Sequence, residues 1–243
     1  MRFLLFTLYA PMGSLGEIAV GERRMSWARP SRSAVLGLVA AALGTERSDE
    51  AAHRTLEDGL FYAVRTDAPG RPFVDYHTAQ TPKARKGRRF ATRRDELESA
   101  DLNTVLSSRE WRSDACYTVA LWPRRAHAVD LDDIARALRM PAFVLYLGRK
   151  SAPLGLPLHP EVVEADTFAA AFAARRASRM EEEILTGIRR DTPHRSEIAF
   201  DGDAPDAPGE ARIERRRDAL LNRTRWQFAD RLEGVVVVEG GGE

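Results

Sequence analysis

Residues 34 to 44, from Ala34 through Leu36, Gly37 and Leu38 to Gly44, are apolar almost without interruption. A helix that is apolar all round cannot sit on a surface, so it must be buried between other elements. A serine in Pro30-Ser31-Arg32-Ser33 caps its start and Gly44 ends it. Gly37 costs such a helix about 1 kcal/mol relative to Ala. Close packing on a sheet is the expected compensation. Arg32 and Ser33 are expected to project from the helix N-terminus, where orphan N–H groups and the dipole favour an anion. The competing reading is a simple N-cap with a solvated arginine.

A buried helix needs strands to cover it. Phe3 to Tyr9 reads as a central strand, stopped by Pro11. Met12 to Met25 is a Gly-rich loop long enough to be functional. Leu60 to Arg65 reads as a second strand, Phe73 to Ala79 as a third leading out of the core, and Ala115 to Trp122 as a strong strand closed by Pro123. Residues 75 to 114 are therefore an excursion inserted between strands. Asp130 to Leu138 is an amphipathic helix with acids in its first turn, and Ala142 to Leu147 reads as a further strand. Strand–helix–strand twice over predicts an α+β, ferredoxin-like or RRM-like plan. The sheet face of such folds commonly carries single-stranded RNA.

Beyond this plan, Glu161 to Glu164 reads as a strand and Thr167 to Met180 as helical. Asp201 to Gly209 is a linker or loop. The cluster Arg212, Arg215, Arg216 and Arg217, with Glu210 and Glu214 beside it, reads as mostly a solvated face. Trp226 to Phe228 and Val235 to Val238 read as closing strands, followed by an unordered Gly-rich tail. The expected division is 1–147 for the ferredoxin-like domain and 148–243 for a loop and small C-terminal domain.

The 243 residues carry a net charge of +1, so any nucleic-acid contact must come from a local patch. Lysine occurs only at Lys83, Lys86 and Lys150; the other cations are arginines, suited to phosphates and base edges. Cys116 is the single cysteine, which rules out an intrachain disulfide and a thiolate metal site. The five histidines show no zinc-binding spacing, and no cofactor or metal is expected. Apolar runs fall short of a membrane span and no leader is evident, so a cytoplasmic protein with no membrane partner is expected.

Two stretches carry chemistry. In Tyr146 to Leu158, Gly148 permits close backbone approach, Arg149 and Lys150 supply charge, and Ser151 supplies a hydroxyl. Phosphate oxygens are held by that combination. The spacing is not that of a Walker loop. The alternative is an exposed turn with solvated cations. The second stretch is the acid-free tract Lys83, Arg85, Lys86, Arg88, Arg89, Arg93 and Arg94, with Phe90 available for a base to stack on. Its alternative is a disordered loop. Asp95, Glu96 and Glu98 follow and are expected to neutralise it partly.

Pro30-Ser31-Arg32-Ser33 with Leu36-Gly37-Leu38, Asp75-Tyr76-His77-Thr78, Trp111 with Asp114-Ala115 and Thr118 to Trp122, and Tyr146 to Leu154 occur here in one order. Together they resemble the CasD-like subunits of type I-E Cascade, a CRISPR surveillance complex, within the RAMP superfamily. The resemblance covers roughly residues 3 to 165. It implies a ferredoxin-like domain with a β-hairpin thumb at about 75–114, a small C-terminal domain, and antiviral defence. It also implies a non-catalytic role: gripping the 5′ handle of the CRISPR RNA (crRNA) and capping the backbone filament. Partners would be the crRNA, the Cascade backbone subunit, the large PAM-reading subunit and, indirectly, target DNA. In that role Gly148, Arg149, Lys150 and Ser151 would grip handle phosphates, joined by Arg32 and Ser33. Tyr76 and His77 would stack on or hydrogen-bond splayed bases, Arg109 and Trp111 would guard the return strand, and Lys83, Lys86 and Arg88 would serve the thumb. The alternative is a metal-independent endoribonuclease built on His77, Tyr76 and Lys150. A free-standing RRM-like regulator is a third reading, but the RNP1 aromatic signature is missing.

Overall fold

In the computed structural model, residues 1–16, 19, 21–83, 87, 89–98, 101–126, 128–191 and 195–238 are described. Strands β1 (Arg2–Gly13), β2 (Arg23–Arg24), β3 (Leu60–Pro82), β4 (Leu102–Pro123), β5 (Glu161–Glu164), β6 (Ser196–Asp201), β7 (Arg212–Asn222) and β8 (Gln227–Val238) form one sheet. Its order is β5-β1-β4-β3-β6-β8-β7, with β2 beside β4. The first four positions are the antiparallel ferredoxin-like order. Helices α1 (Arg32–Ala42), α2 (Glu50–Gly59) and α4 (Leu131–Arg139) supply one layer; α3 (Arg93–Leu97) lies on the thumb; α5 (Phe168–Ala174) and α6 (Arg179–Asp191) cover the other face.

Both faces of β1 are covered, which is why its sequence is continuously apolar rather than alternating. Leu4, Phe6 and Leu8 pack against Val35, Val39 and Ile134 on one side. Phe3 and Leu5 pack with Trp122, Phe168 and Phe172 on the other. The apolar helix is α1, buried as expected, with the Ser31 hydroxyl accepting from the Ala34 N–H and Gly44 at φ +78° beyond its end.

Several expectations need correction. β1 runs through Pro11: Ala10 pairs with Ala115 and Met12 with Ser113, and the ladder skips the position between them, where Asp114 adopts φ 54°. Residues 142–147 are not a strand. The N–H groups of Ala142 and Phe143 donate instead to the carbonyls of Ala42 and Ala41 at the end of α1. The fourth ferredoxin strand is β5, which pairs with β1 from Arg2↔Glu164 to Leu5↔Glu161. The boundary expected at residue 148 thus falls ahead of the strand that completes the N-terminal sheet. β6 then pairs with β3, so the C-terminal strands extend the same sheet. The arginine cluster at 212–217 lies on β7; Arg212, Arg215 and Arg217 are exposed as expected, but Arg216 is buried against Glu233.

The second and third strands read from sequence are one strand, β3, and the return is one strand, β4. They pair without a break in register from Gly70's neighbour Arg71↔Ser113 to Pro82↔Leu102. The protruding part is a two-stranded thumb about 40 Å long, at roughly 3.4 Å per residue. Gly70, at φ +67°, sits where a Cβ would meet the Ser113 carbonyl at 2.5 Å, so the thumb's root demands glycine.

Candidate nucleic-acid interface

The turn after Leu147 is locked by backbone contact. Gly148 has φ +85°, and a Cβ there would lie 1.5 Å from the Ser14 carbonyl oxygen. The Ser14 N–H donates to the Leu147 carbonyl at 3.2 Å. Only glycine allows the 13–16 loop and this turn to touch so closely. The contact throws Arg149 toward the thumb root, where its guanidinium lies 4.4 Å over the Trp111 ring. Trp111 is only 5 % exposed, so the indole is a fixed platform.

Alternation along the thumb decides which residues join it. Phe73, Asp75 and His77 pair with Trp111, Arg109 and Ser107 and share one face. Val74 and Tyr76 pair with Glu110 and Ser108 on the other. Arg109 and Trp111 are therefore brought together with Arg149, and His77 shares their face four residues beyond Phe73 toward the tip, whereas Tyr76, 64 % exposed, points away from them. β2 runs parallel to β4 with Arg24 beside Arg109. Arg24 is a member that sequence reading missed; its signal was the Arg23-Arg24 pair after Gly21. His77 Nε2 contacts the Asp75 carboxylate.

Three guanidiniums thus converge: Arg149, Arg109 and Arg24. Burial first, then Arg109 and Arg24, lower the Arg149 pKa, and Asp75 opposes them. Among the described residues no carboxylate pairs with Arg149, and its Nη1 is buried without a hydrogen-bond partner. A cation held by an aromatic ring, partly desolvated and without a carboxylate partner among the described residues, is arranged for an anion to arrive. Lys150 and Ser151 are exposed beside it.

A cleft of about 1130 Å³ leads from this turn across α1 to the β7–β8 turn. Gly16, Ser33, Tyr146, Gly148, Trp226 and Phe228 are among its walls. Ser33 is half-buried with its hydroxyl 3.2 Å from that of Ser31. Arg32 is not part of this surface. It is 3 % exposed, its Nε donates to Asp201 at 3.1 Å, it pairs with Glu57, and it donates to the carbonyls of Glu57 and Leu60. Its backbone N–H is taken by Asp218 Oδ2 at 2.8 Å, so the helix N-terminus already holds an anion from β7. Sequence could not reveal this, because the partners lie far away in the chain.

Lys83 stands at the far end of the thumb, about 40 Å along the ladder from the root, paired with Asp101 at 2.8 Å. It belongs to a separate surface. Lys86 and Arg88 lie outside the described residues. Beyond them, Thr92 caps α3 in a capping box, and Arg93–Glu96 and Arg94–Glu98 pairs partly neutralise the tract as expected.

Known proteins share this architecture. Residues 3–231 match the family model described as CRISPR-associated protein (Cas_Cas5). The chain is 31 % identical over 164 residues to the CRISPR system Cascade subunit CasD of Escherichia coli K12, covering 64 % of this chain and 69 % of that one. It superposes with a TM-score of 0.66 on a chain of a CRISPR RNA-guided surveillance complex, 26 % identical, covering 97 % of this chain and 89 % of that one. A second solved structure, of a Cas protein, gives a TM-score of 0.58 at 25 % identity, covering 97 % and 94 %.

Proposed function

The chain belongs to the Cas5 family of CRISPR-associated proteins, and on that premise we propose that it is a non-catalytic Cascade subunit that grips the 5′ handle of the crRNA. The observation that carries this reading is the Trp111-stacked Arg149, without a carboxylate partner among the described residues, beside Arg109 and Arg24 and next to Gly148, which lines the cleft. Phosphates of the handle sit on Arg149, Lys150 and Ser151 where the Gly148 turn presents them. The RNA then crosses the thumb root on the face that carries Asp75, His77 and Arg109. Phosphate contacts set affinity and register, and the aromatic and polar groups of the cleft meet bases.

The arrangement supports binding over cleavage. A ribonuclease of His77, Tyr76 and Lys150 needs all three on one phosphate, but strand alternation puts Tyr76 and His77 on opposite faces. The thumb exposes apolar side chains such as Val74 and Val105 on its shaft. Such an arm suits burial against neighbouring subunits, the Cascade backbone subunit and the large PAM-reading subunit, with target DNA met only indirectly.

The test is titration of the purified chain with RNA carrying the repeat-derived 5′ segment. Arg149→Gln should weaken binding about tenfold and reduce the slope of log K against log salt by about 0.7, the share of one single-strand phosphate. Affinity and slope equal to wild type would remove Arg149 from the site.

A further inference from the structure

At the far end of the cleft, 223–226 forms the tight turn between β7 and β8, with the Trp226 N–H donating to the Arg223 carbonyl at 3.3 Å. Trp226 holds φ +57°, a left-handed conformation that a bulky residue adopts only when its surroundings enforce it. Two guanidiniums lie on its ring, Arg223 at 4.5 Å and Arg47 at 4.7 Å. Phe228 meets it edge-on at 5.6 Å.

Arg223 is half-buried, yet among the described residues no carboxylate pairs with its guanidinium, and its Nε is buried without a partner. Glu50 is close, but its carboxylate accepts from the backbone N–H groups of Arg223 and Thr224 at 3.3 and 2.8 Å. Burial first, then Arg47, lower the Arg223 pKa, and the Tyr146 hydroxyl opposes this. The guanidinium lies directly over α1 at Gly37, where an added Cβ would sit 3.0 Å from Nη2. This, rather than contact with the sheet, is what the helix glycine makes room for. A cation so placed, desolvated beside a second cation, is costly unless an anion completes it.

We propose that Arg47 and Arg223, braced on Trp226, form a second phosphate-binding subsite of this protein, which holds one phosphodiester of an RNA strand that leaves the Gly148 turn along the cleft. This rests on the reading of the cleft as the handle site. It adds a distal anchor on the C-terminal strands, so that the RNA is held at both ends of its groove. The strand direction through the cleft is thereby fixed by two points rather than one.

The experiment uses the full chain and a synthetic single-stranded RNA carrying the repeat-derived 5′ segment, with variants in which one phosphate at a time is replaced by a neutral methylphosphonate. Arg223→Gln and Arg47→Gln should each weaken binding five- to twentyfold and lower the salt slope by about 0.7. The double variant should lower the slope no further, since both residues serve one phosphate. A methylphosphonate at a single position should erase the difference between Arg223→Gln and wild type, and a different position should do so for Arg149→Gln. Arg47 is exposed, so Arg47→Gln reports on the subsite even if Arg223→Gln folds poorly. If Arg149→Gln weakens binding while Arg47→Gln matches wild type in affinity and slope, the distal subsite is wrong and the handle reading stands. If wild type itself fails to bind the RNA, the handle reading falls and the subsite with it.

Discussion

Gly148 and Arg149 divide the work at the site between space and charge. Replacing Gly148 by Ala sets a Cβ against the Ser14 backbone and forces a left-handed φ on an L side chain. The expected result is destabilisation of about 2–4 kcal/mol, or a displaced turn, with RNA affinity lost either way. Thermal melting with parallel RNA titration checks it; a variant with wild-type melting and binding would show that the turn is not locked. The sequence displayed this pair openly, because glycine followed by two cations and a hydroxyl is a local pattern. Arg32 misled for the opposite reason. An arginine after an N-capping serine has the same local appearance whether it faces water or a carboxylate, and Asp201 and Asp218 reach it only through tertiary folding. Arg223 and Trp226 gave no signal, since their meaning depends on lying over Gly37.

Elements were legible where a pattern was both local and long. Helix α1 and the core of β4 follow from apolar content and caps. The thumb was visible as an excursion, but its two strands were read as fragments because exposed hairpin residues such as Val74 to Gln80 carry no buried face to alternate against. β5 was read with its observed bounds but not as the fourth strand of the ferredoxin-like order, and 142–147 was overrated because its first two N–H groups serve the end of α1. A two-stranded ribbon without a covering layer is marginal alone. Amide exchange should therefore be far faster for residues 74–82 and 102–110 than for 60–66 and 116–122. Equal protection in the free chain would mean that the arm has a partner of its own. On the opposite sheet face, Glu181 at the start of α6 accepts from the Ser178 N–H, the Thr7 hydroxyl and Arg175. Burial pushes its carboxyl up, but these contacts together leave it below the ordinary glutamate value. A lowered folded pKa gives stability that is complete above the unfolded value of about 4.3 and lost as pH falls through the folded one. Melting temperature should fall on acidification below that value, and Glu181→Gln should flatten part of the decline. A slope unchanged in Glu181→Gln would assign the acid sensitivity elsewhere.

Across the whole molecule, a buried ionic network joins the ferredoxin-like part to the C-terminal strands. Glu233 is fully buried and accepts from Arg29 at 2.7 Å, Arg231 at 2.5 Å and Arg216 at 3.2 Å. Arg231 also binds Asp218 at 2.6 Å and Asp201 at 3.3 Å, and Asp201 holds Arg32 and Arg124. Tyr62 and Tyr117 fix the segment ahead of α1 by donating to the carbonyls of Pro30 and Ala28. Glu233→Gln removes the carboxylate that three arginines share and takes from Arg216 its counter-charge, which should cost about 3–5 kcal/mol. Denaturant unfolding measures it, and a loss under 1 kcal/mol would mean that water already reaches these groups. The two halves should unfold in one transition, because the sheet and this network both cross between them.

The constant register that β3 and β4 keep from Ala68↔Cys116 to Pro82↔Leu102 also restricts how such an arm can change length. Side chains alternate between faces, so adding one residue to each strand near Gly70 would turn Arg109 and His77 away from the Gly148 turn and bring Tyr76 and Ser108 round to it. Adding two to each restores every face and moves the tip outward by about 7 Å. Growth or trimming between Gly70 and these residues is therefore permitted only in even steps, so a shift of the site's side chains along the arm is discrete rather than continuous.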